Sequence, residues 1–347
     1  MGAARRAPLA RAAADGGGVE VSLGKVRKPA ERAPRRDGKL GVFLRRVAQV
    51  LDVSPQEVSA LLSRRPRSSL RVNRLVVREV DDTLDELRDL GVELEPIAWC
   101  PDAYFFSGTT HDLAETQLFR SGRIYIQNAS SLVPVLALDP RRGDVILDAC
   151  AAPGGKAAHI AALVGNDCEL WLNDAIKPRV NRLREVAESF HVRYANLTQH
   201  AAQHLDKYID RRFDRILLDA QCSGEARANL RHRDALRHWS LERVRRYGFL
   251  QRRMLAAAFK LLKPGGTLVY STCTFGPEEN EDPVDHLLRH RPDARIQPIR
   301  VAVDGMQQGL SSWERRSYDP GLRLALRIRP SERMEGFFVA KLMKAED

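Results

Sequence analysis

Apolar residues in this chain recur at one spacing early on and at another later. Phe43, Val47, Val50 and Leu51, in a stretch that begins at Leu40, fall on one face of a helix. Ser54-Pro55-Gln56-Glu57 then supplies a capping serine, a first-turn proline and a returning glutamate ahead of Val58, Leu61 and Leu62, which predicts a second helix. A third, short one is expected from Thr83 to Leu90, stopping at Gly91. A link through residues 124–131 leads into an apolar helix ending near Leu138. Past Asp144 the pattern becomes apolar runs alternating with helical stretches. Strands are expected at 145–149, 169–173, 192–196, 215–219 and 267–271, and helices at 155–164, 177–189, 241–262 and 278–290. Arg327–Pro330 and Gly336–Leu342 read as closing strands. Such alternation marks a parallel sheet with crossover helices. The expected fold is therefore α/β, with helices on both faces of the sheet. The expected divisions are a tail over 1–38, a small α+β domain over 39–122 and the sheet domain over 123–347.

Charge adds a partner class. The chain carries 56 Lys and Arg against 45 Asp and Glu, a net +11. Residues 1–38 contribute nine basic and four acidic side chains, lack apolar periodicity and are expected to be disordered. They read as a basic tail grazing RNA or as a transit peptide into an organelle, although Asp15, Glu20, Glu31 and Asp37 argue against the latter. Without such a peptide the expected location is the cytoplasm. A basic balance favours nucleic acid as partner. The segment Arg64–Arg74, with five arginines, is expected to be a loop that touches phosphates and sugars. No apolar stretch approaches the ~20 residues of a membrane span, so no membrane partner is expected. Five cysteines at 100, 150, 168, 222 and 273 form no Cys-x-x-Cys pair, which fits free thiols in a reducing compartment. His200 with His204, and His286 with His290, have helical spacing but no accompanying ligand motif, so solvated helix faces and no metal are expected.

Chemistry concentrates at three strand ends. Cys222 follows the run ending at Asp219, and Cys273 follows the run ending at Ser271. The turn Cys150-Ala151-Ala152-Pro153-Gly154-Gly155-Lys156 follows the strand expected at 145–149. In open α/β sheets the ligand crevice lies outside the carboxyl ends of the strands, so two thiols and a glycine turn would share one pocket. Either cysteine alone reads more readily as a small buried hydrophobe; with the turn and Asp219 the balance reverses. Asp174 ends the second strand, where an acid can accept hydrogen bonds from ribose hydroxyls. The turn lacks the third glycine of the dinucleotide fingerprint and any Gly-Lys-Ser/Thr phosphate cradle. NAD and ATP therefore fit less well than a nucleoside without phosphates, and S-adenosylmethionine fits. Cys150 is expected to line this loop, while Cys100 and Cys168 read as structural.

Three motifs carry a resemblance: Leu147–Lys156, Asp219-Ala220-Gln221-Cys222-Ser223-Gly224 and Ser271-Thr272-Cys273-Thr274. Together with Asn173-Asp174, Arg179, Lys263-Pro264-Gly265-Gly266, Glu278-Glu279-Asn280-Glu281 and Gly336-Phe337-Phe338, they resemble the Nop/Sun, or RsmB-type, RNA cytosine-5 methyltransferases. The stretch Asp234-Ala235-Leu236 to Trp239-Ser240 is similar to the bacterial rRNA-modifying branch. The resemblance covers about residues 40–345. It implies a Rossmann-like class I methyltransferase sheet behind an RNA-binding domain, S-adenosylmethionine as cofactor, and rRNA or tRNA as substrate for a monomeric enzyme. Cofactor contacts would come from Cys150, Ala151, Ala152, Pro153, Gly154, Gly155, Lys156, Asp174, Arg179 and Asp219. By similarity Cys273 is the nucleophile that adds to ring carbon 6 of cytosine. Asp219 would hold the base edge near ring nitrogen 3. Cys222 would assist loss of the carbon-5 proton and release of the RNA. The target base has to leave its stack to enter such a pocket.

The chain departs from the family pattern in three places. Gln221 stands where relatives carry proline, which adds a backbone donor and freedom to the loop. Asn196–His200 lacks the acid that relatives place near the adenine. The sequence closes on its last expected strand, without the C-terminal RNA module of larger bacterial relatives, so a smaller or differently held RNA is expected. Gln221 also supports a second reading, a catalytically weak or inactive RNA-binding or ribosome-assembly factor with the same fold.

Overall fold

The computed structural model describes residues 38–346, and the expected disordered tail lies outside them except for Gly38. Five parallel strands make up one part of a nine-stranded sheet, out to its edge. From one side to the other they are Leu262–Thr272, Phe213–Asp219, Val145–Asp148, Glu169–Asn173 and Asn196–Thr198. Phe337–Lys344 runs antiparallel beside Leu262–Thr272, and Leu326–Ile328, Met306–Gln308 and Ala294–Gln297 complete that side. The first strand in sequence, Val145–Asp148, lies next to the fourth, Phe213–Asp219. The strand order reverses there, the place where such sheets open a crevice for ligands.

Alternate residues of these strands are buried on opposite faces, which is why the strands read as unbroken apolar runs. Ile146, Leu217 and Val269 pack with helices Val133–Leu138, Gly155–Val164 and Lys177–Ser189. Leu147, Leu218 and Tyr270 pack with helices Leu241–Leu261 and Glu281–His290 on the other face. Gly248 lets the long helix Leu241–Leu261 press on the turn before helix Glu281–His290, since a Cβ there would come within 2.1 Å of the Glu278 carbonyl oxygen.

A second sheet orders Leu94–Pro96, Ala103–Phe106, Ser69–Val72 and Ile124–Ile126, all antiparallel. It takes in Ile124–Ile126, beyond the expected boundary at residue 122. Helices Lys39–Leu51 and Pro55–Leu62 pack elsewhere, against Leu236, Trp239, Val244 and Phe275. Phe43 meets Trp239 edge to face at 5.1 Å. Ser54 caps the second helix by accepting from the Glu57 amide at 3.1 Å.

Several expectations need correction. The Arg64–Arg74 segment is not a loop throughout, because Ser69–Val72 is the buried centre of the second sheet. Arg71 is only 2% exposed and cannot meet RNA; burial lowers its pKa to about 10. Arg64 and Arg67 are paired with Glu332 and Glu95. The strand expected at 192–196 lies instead at Asn196–Thr198. Residues 190–192 are spent closing the preceding helix: His191 adopts a left-handed φ of 58°, and the Val192 amide donates to the Ala187 carbonyl at 2.8 Å. The helix expected from 278 starts at Glu281, because Glu278–Asn280 form a turn. The third helix starts a turn earlier than expected, at Val80. His200 and His204 do not share a helix, for His200 lies in a loop with its ring stacked on Tyr208 at 4.4 Å.

Candidate active site

The carboxyl ends of the central strands bring the predicted residues together. Register sets Asp219 opposite Ser271, and Ser271 Oγ donates to Asp219 Oδ1 at 2.7 Å. Lys156 Nζ, from the glycine turn, donates to Asp219 Oδ2 at 2.7 Å. Asp219 thus ties the turn to the strand that ends at Thr272, one residue before Cys273. Past the ends of these same two strands, the Cys222 and Cys273 sulfurs lie 3.2 Å apart, both half-buried.

The two thiols differ in charge preference. Cys273 is lowered below an ordinary thiol, first by the hydrogen bond from Cys222 and then by the Arg227 guanidinium. Cys222 is raised well above the ordinary value, because its proton serves that bond and burial disfavours a second thiolate. Charge on the pair is therefore favoured at Cys273, with Cys222 keeping its proton. Arg227 in turn is raised by the Cys273 charge. Sequence reasoning missed Arg227, which carries no motif signal beyond lying three residues past Gly224.

At the turn, Gly154 has a φ of 122°, and a Cβ there would meet Val186 at 2.7 Å. Only glycine fits this close approach of turn to helix. Ala151 and Ala152 are buried and Pro153 is exposed. Arg179 reaches the Ala152 carbonyl at 2.6 Å and Asp174 at 3.3 Å, which places both at the same turn. Asp174 is raised above the ordinary carboxylate range by burial. Burial, with Asp174, Asp148 and Asp219 nearby, pushes the Cys150 thiol far up, so Cys150 lines the loop as a neutral group. Cys100 and Cys168 are raised by burial to about 12 and about 11, and neither joins the sulfur pair.

Asp148 was not foreseen, yet it ends the strand just before the turn. It is 1% exposed, neither oxygen has a partner in hydrogen-bond geometry, and burial raises it to about 7. The Lys156 charge, and after it the Cys150 amide, offset this only in part. A buried, unpartnered carboxylate at a glycine turn is a place for a ligand with hydroxyl donors or positive charge. S-adenosylmethionine has both, so the residues present fit it. A lone charged residue closing the apolar run Val145-Ile146-Leu147 was the available signal.

Residues 135–343 match the family model described as 16S rRNA methyltransferase RsmB/F, and residues 41–129 match the N-terminal domain of 16S rRNA methyltransferase RsmF. The chain belongs to the RsmB/F methyltransferase family. This family uses S-adenosylmethionine to methylate RNA. The chain is 37% identical over 296 residues to the tRNA (cytosine(49)-C(5))-methyltransferase of Pyrococcus abyssi, covering 83% of this chain and 92% of that one. It is 35% identical over 311 residues to the ribosomal RNA small subunit methyltransferase F of Aeromonas salmonicida, covering 87% of this chain and 63% of the relative. The chain thus spans less than two thirds of that bacterial relative. A crystal structure of a methyltransferase homologue from Pyrococcus horikoshii superposes with a TM-score of 0.72 at 28% identity, covering 87% of this chain and 99% of that one. Among the described residues no helix is long and apolar enough to cross a membrane.

Proposed function

We propose that this RsmB/F family member methylates carbon 5 of a cytosine in rRNA or tRNA through a transient bond between Cys273 and the base. The observation that carries this reading is the pair of sulfurs 3.2 Å apart, linked through Ser271, Asp219 and Lys156 to the glycine turn. Methylation of nitrogen or oxygen needs no thiol, and two at one site favour covalent chemistry.

The residues divide the work. The Cys273 thiolate, favoured by Cys222 and Arg227, adds to ring carbon 6, forming a sulfur–carbon bond and making carbon 5 nucleophilic. Asp219, held by Lys156 and Ser271, faces the base edge and orients the ring by accepting from its exocyclic amino group, while the Lys156 ammonium beside it offsets the negative charge the adduct gains. Bound S-adenosylmethionine supplies an electrophilic methyl group. Asp148, Asp174, Arg179 and residues 150–156 hold that cofactor. Once Cys273 is spent in the bond, Cys222 no longer serves a neighbouring thiolate. It gives its proton to solvent, takes the carbon-5 proton, and the sulfur–carbon bond breaks to return Cys273. The 39–122 region, with exposed Arg65, contributes RNA contacts.

The test is methyl transfer by purified protein to rRNA and tRNA, with bisulfite mapping of the product. Cys273→Ala is expected to abolish 5-methylcytosine while cofactor binding, measured by calorimetry, stays unchanged. Retained 5-methylcytosine in that variant would overturn the assignment, and a wild type that binds RNA without methylating it would favour an assembly factor.

A further inference from the structure

Beneath the two sulfurs lies a buried polar network that the reaction above leaves unused. Gln251, fully buried in the middle of helix Leu241–Leu261, donates from Nε2 to the Gln221 carbonyl at 2.8 Å. The same nitrogen reaches Glu279 Oε2 at 3.1 Å, and that oxygen also accepts the Ser223 amide at 2.8 Å. The residues on either side of Cys222 therefore hang on one glutamine and one carboxyl group. Thr274, next to Cys273, meets Ser223 Oγ at 2.8 Å and Glu279 Oε1 at 3.4 Å, and donates to Glu225 Oε2 at 2.8 Å.

Thr274 has one hydroxyl hydrogen, which Glu225 Oε2 takes at 2.8 Å, so Ser223 Oγ donates to Thr274 and the 3.4 Å approach to Glu279 Oε1 adds little. Burial first, and then the Glu225 charge, push the Glu279 pKa up to about 8. Cys273 lies one residue past Thr272, itself paired with Phe338 in the sheet, so the ladder fixes its position. Cys222 lies three residues past the end of its strand, and its backbone neighbours depend on the network.

We infer that Gln251 and Glu279 are positioning residues for release of the RNA adduct, holding the Cys222 backbone on both sides so that its thiol stays over the bonded sulfur of Cys273. This inference rests on the covalent reading above. Gln251→Met keeps the bulk, removes both donated bonds, and loses nothing at Oε1, which has no partner. Its adduct should form within about threefold of the wild-type rate but decay about tenfold more slowly, with RNA and cofactor affinity unchanged. Glu279→Gln keeps a neutral acceptor and donor, so it should release far faster than Glu279→Met, which should match Gln251→Met.

Adduct formation and decay are followed on denaturing gels in single-turnover reactions. Partial unfolding lowers the amplitude and alters neither rate constant. Wild-type decay in Gln251→Met, equal slowing in both Glu279 variants, or matched slowing of formation and decay would each overturn the inference. A wild type that forms no adduct removes the covalent reading itself, whereas an adduct that the variants leave unaltered removes only the positioning role.

Discussion

Two buried carboxylates flank the pocket and are treated oppositely. Asp148, behind the glycine turn, has no partner on either oxygen. Glu225, behind the sulfurs, accepts from Trp239 Nε1, Thr274 Oγ1 and the amides of Phe275 and Gly276. An unpartnered buried carboxyl group costs stability, while a fully bonded one holds its loop rigid. The turn side thus holds one poorly bonded carboxyl group, and the sulfur side a fully bonded one. Affinity should be tunable on the first side, and catalytic geometry on the second.

Among changes that leave Cys273 in place, removing the second sulfur should have the largest effect. Cys222→Ala is expected to cut turnover about a thousandfold and leave a covalent RNA–protein species on a denaturing gel. No such species, with an active wild type, would take Cys222 out of the release step.

Asp148→Asn should act on the other side, weakening cofactor binding about tenfold with little change in the rate of adduct formation. It also carries a pH signature. The unfolded chain gives up this proton near 3.8 and the folded chain near 7, so stability falls as pH rises between those values. The cofactor-free Asn variant should therefore melt above wild type at pH 8 and lose that advantage toward pH 4. Equal melting curves at both pH values would show that Asp148 is not held protonated.

The smallest effect is expected from Gln221→Pro. The Gln221 amide donates no hydrogen bond among the described residues, and its carbonyl is already held by Gln251. Turnover should change by less than about threefold. A large gain would mean that the network leaves the loop loose.

The central sheet was legible because its strands are buried on both faces and read as unbroken apolar runs. Helices 155–164 and 177–189 were found to the residue, since Gly165 and the turn after Ser189 give sharp stops. The Asn196–Thr198 strand was misplaced because Val192 is apolar for the sake of a helix end and not a strand. In the site, the cysteines, Asp219 and the turn announced themselves by position after strands. Arg71 did not: among arginines and hydroxyls nothing distinguishes an inward strand residue from a loop cation, and only pairing with Ala103 and Tyr125 settles it. Gln251 was equally silent, a polar residue in a helix whose bonds run to segments distant in sequence.

The contact of Phe43 with Trp239 has a consequence for how the chain is made. A 13-residue helix has little stability alone, and the ring that seats helix Lys39–Leu51 is synthesised much later. During translation helix Lys39–Leu51 waits unseated until the catalytic portion has emerged. An excised N-terminal fragment would inherit the same orphaned aromatic face, and the catalytic portion without it would expose Trp239, whose indole steadies the Glu225 loop. Helix Lys39–Leu51 and the catalytic portion mature as one body.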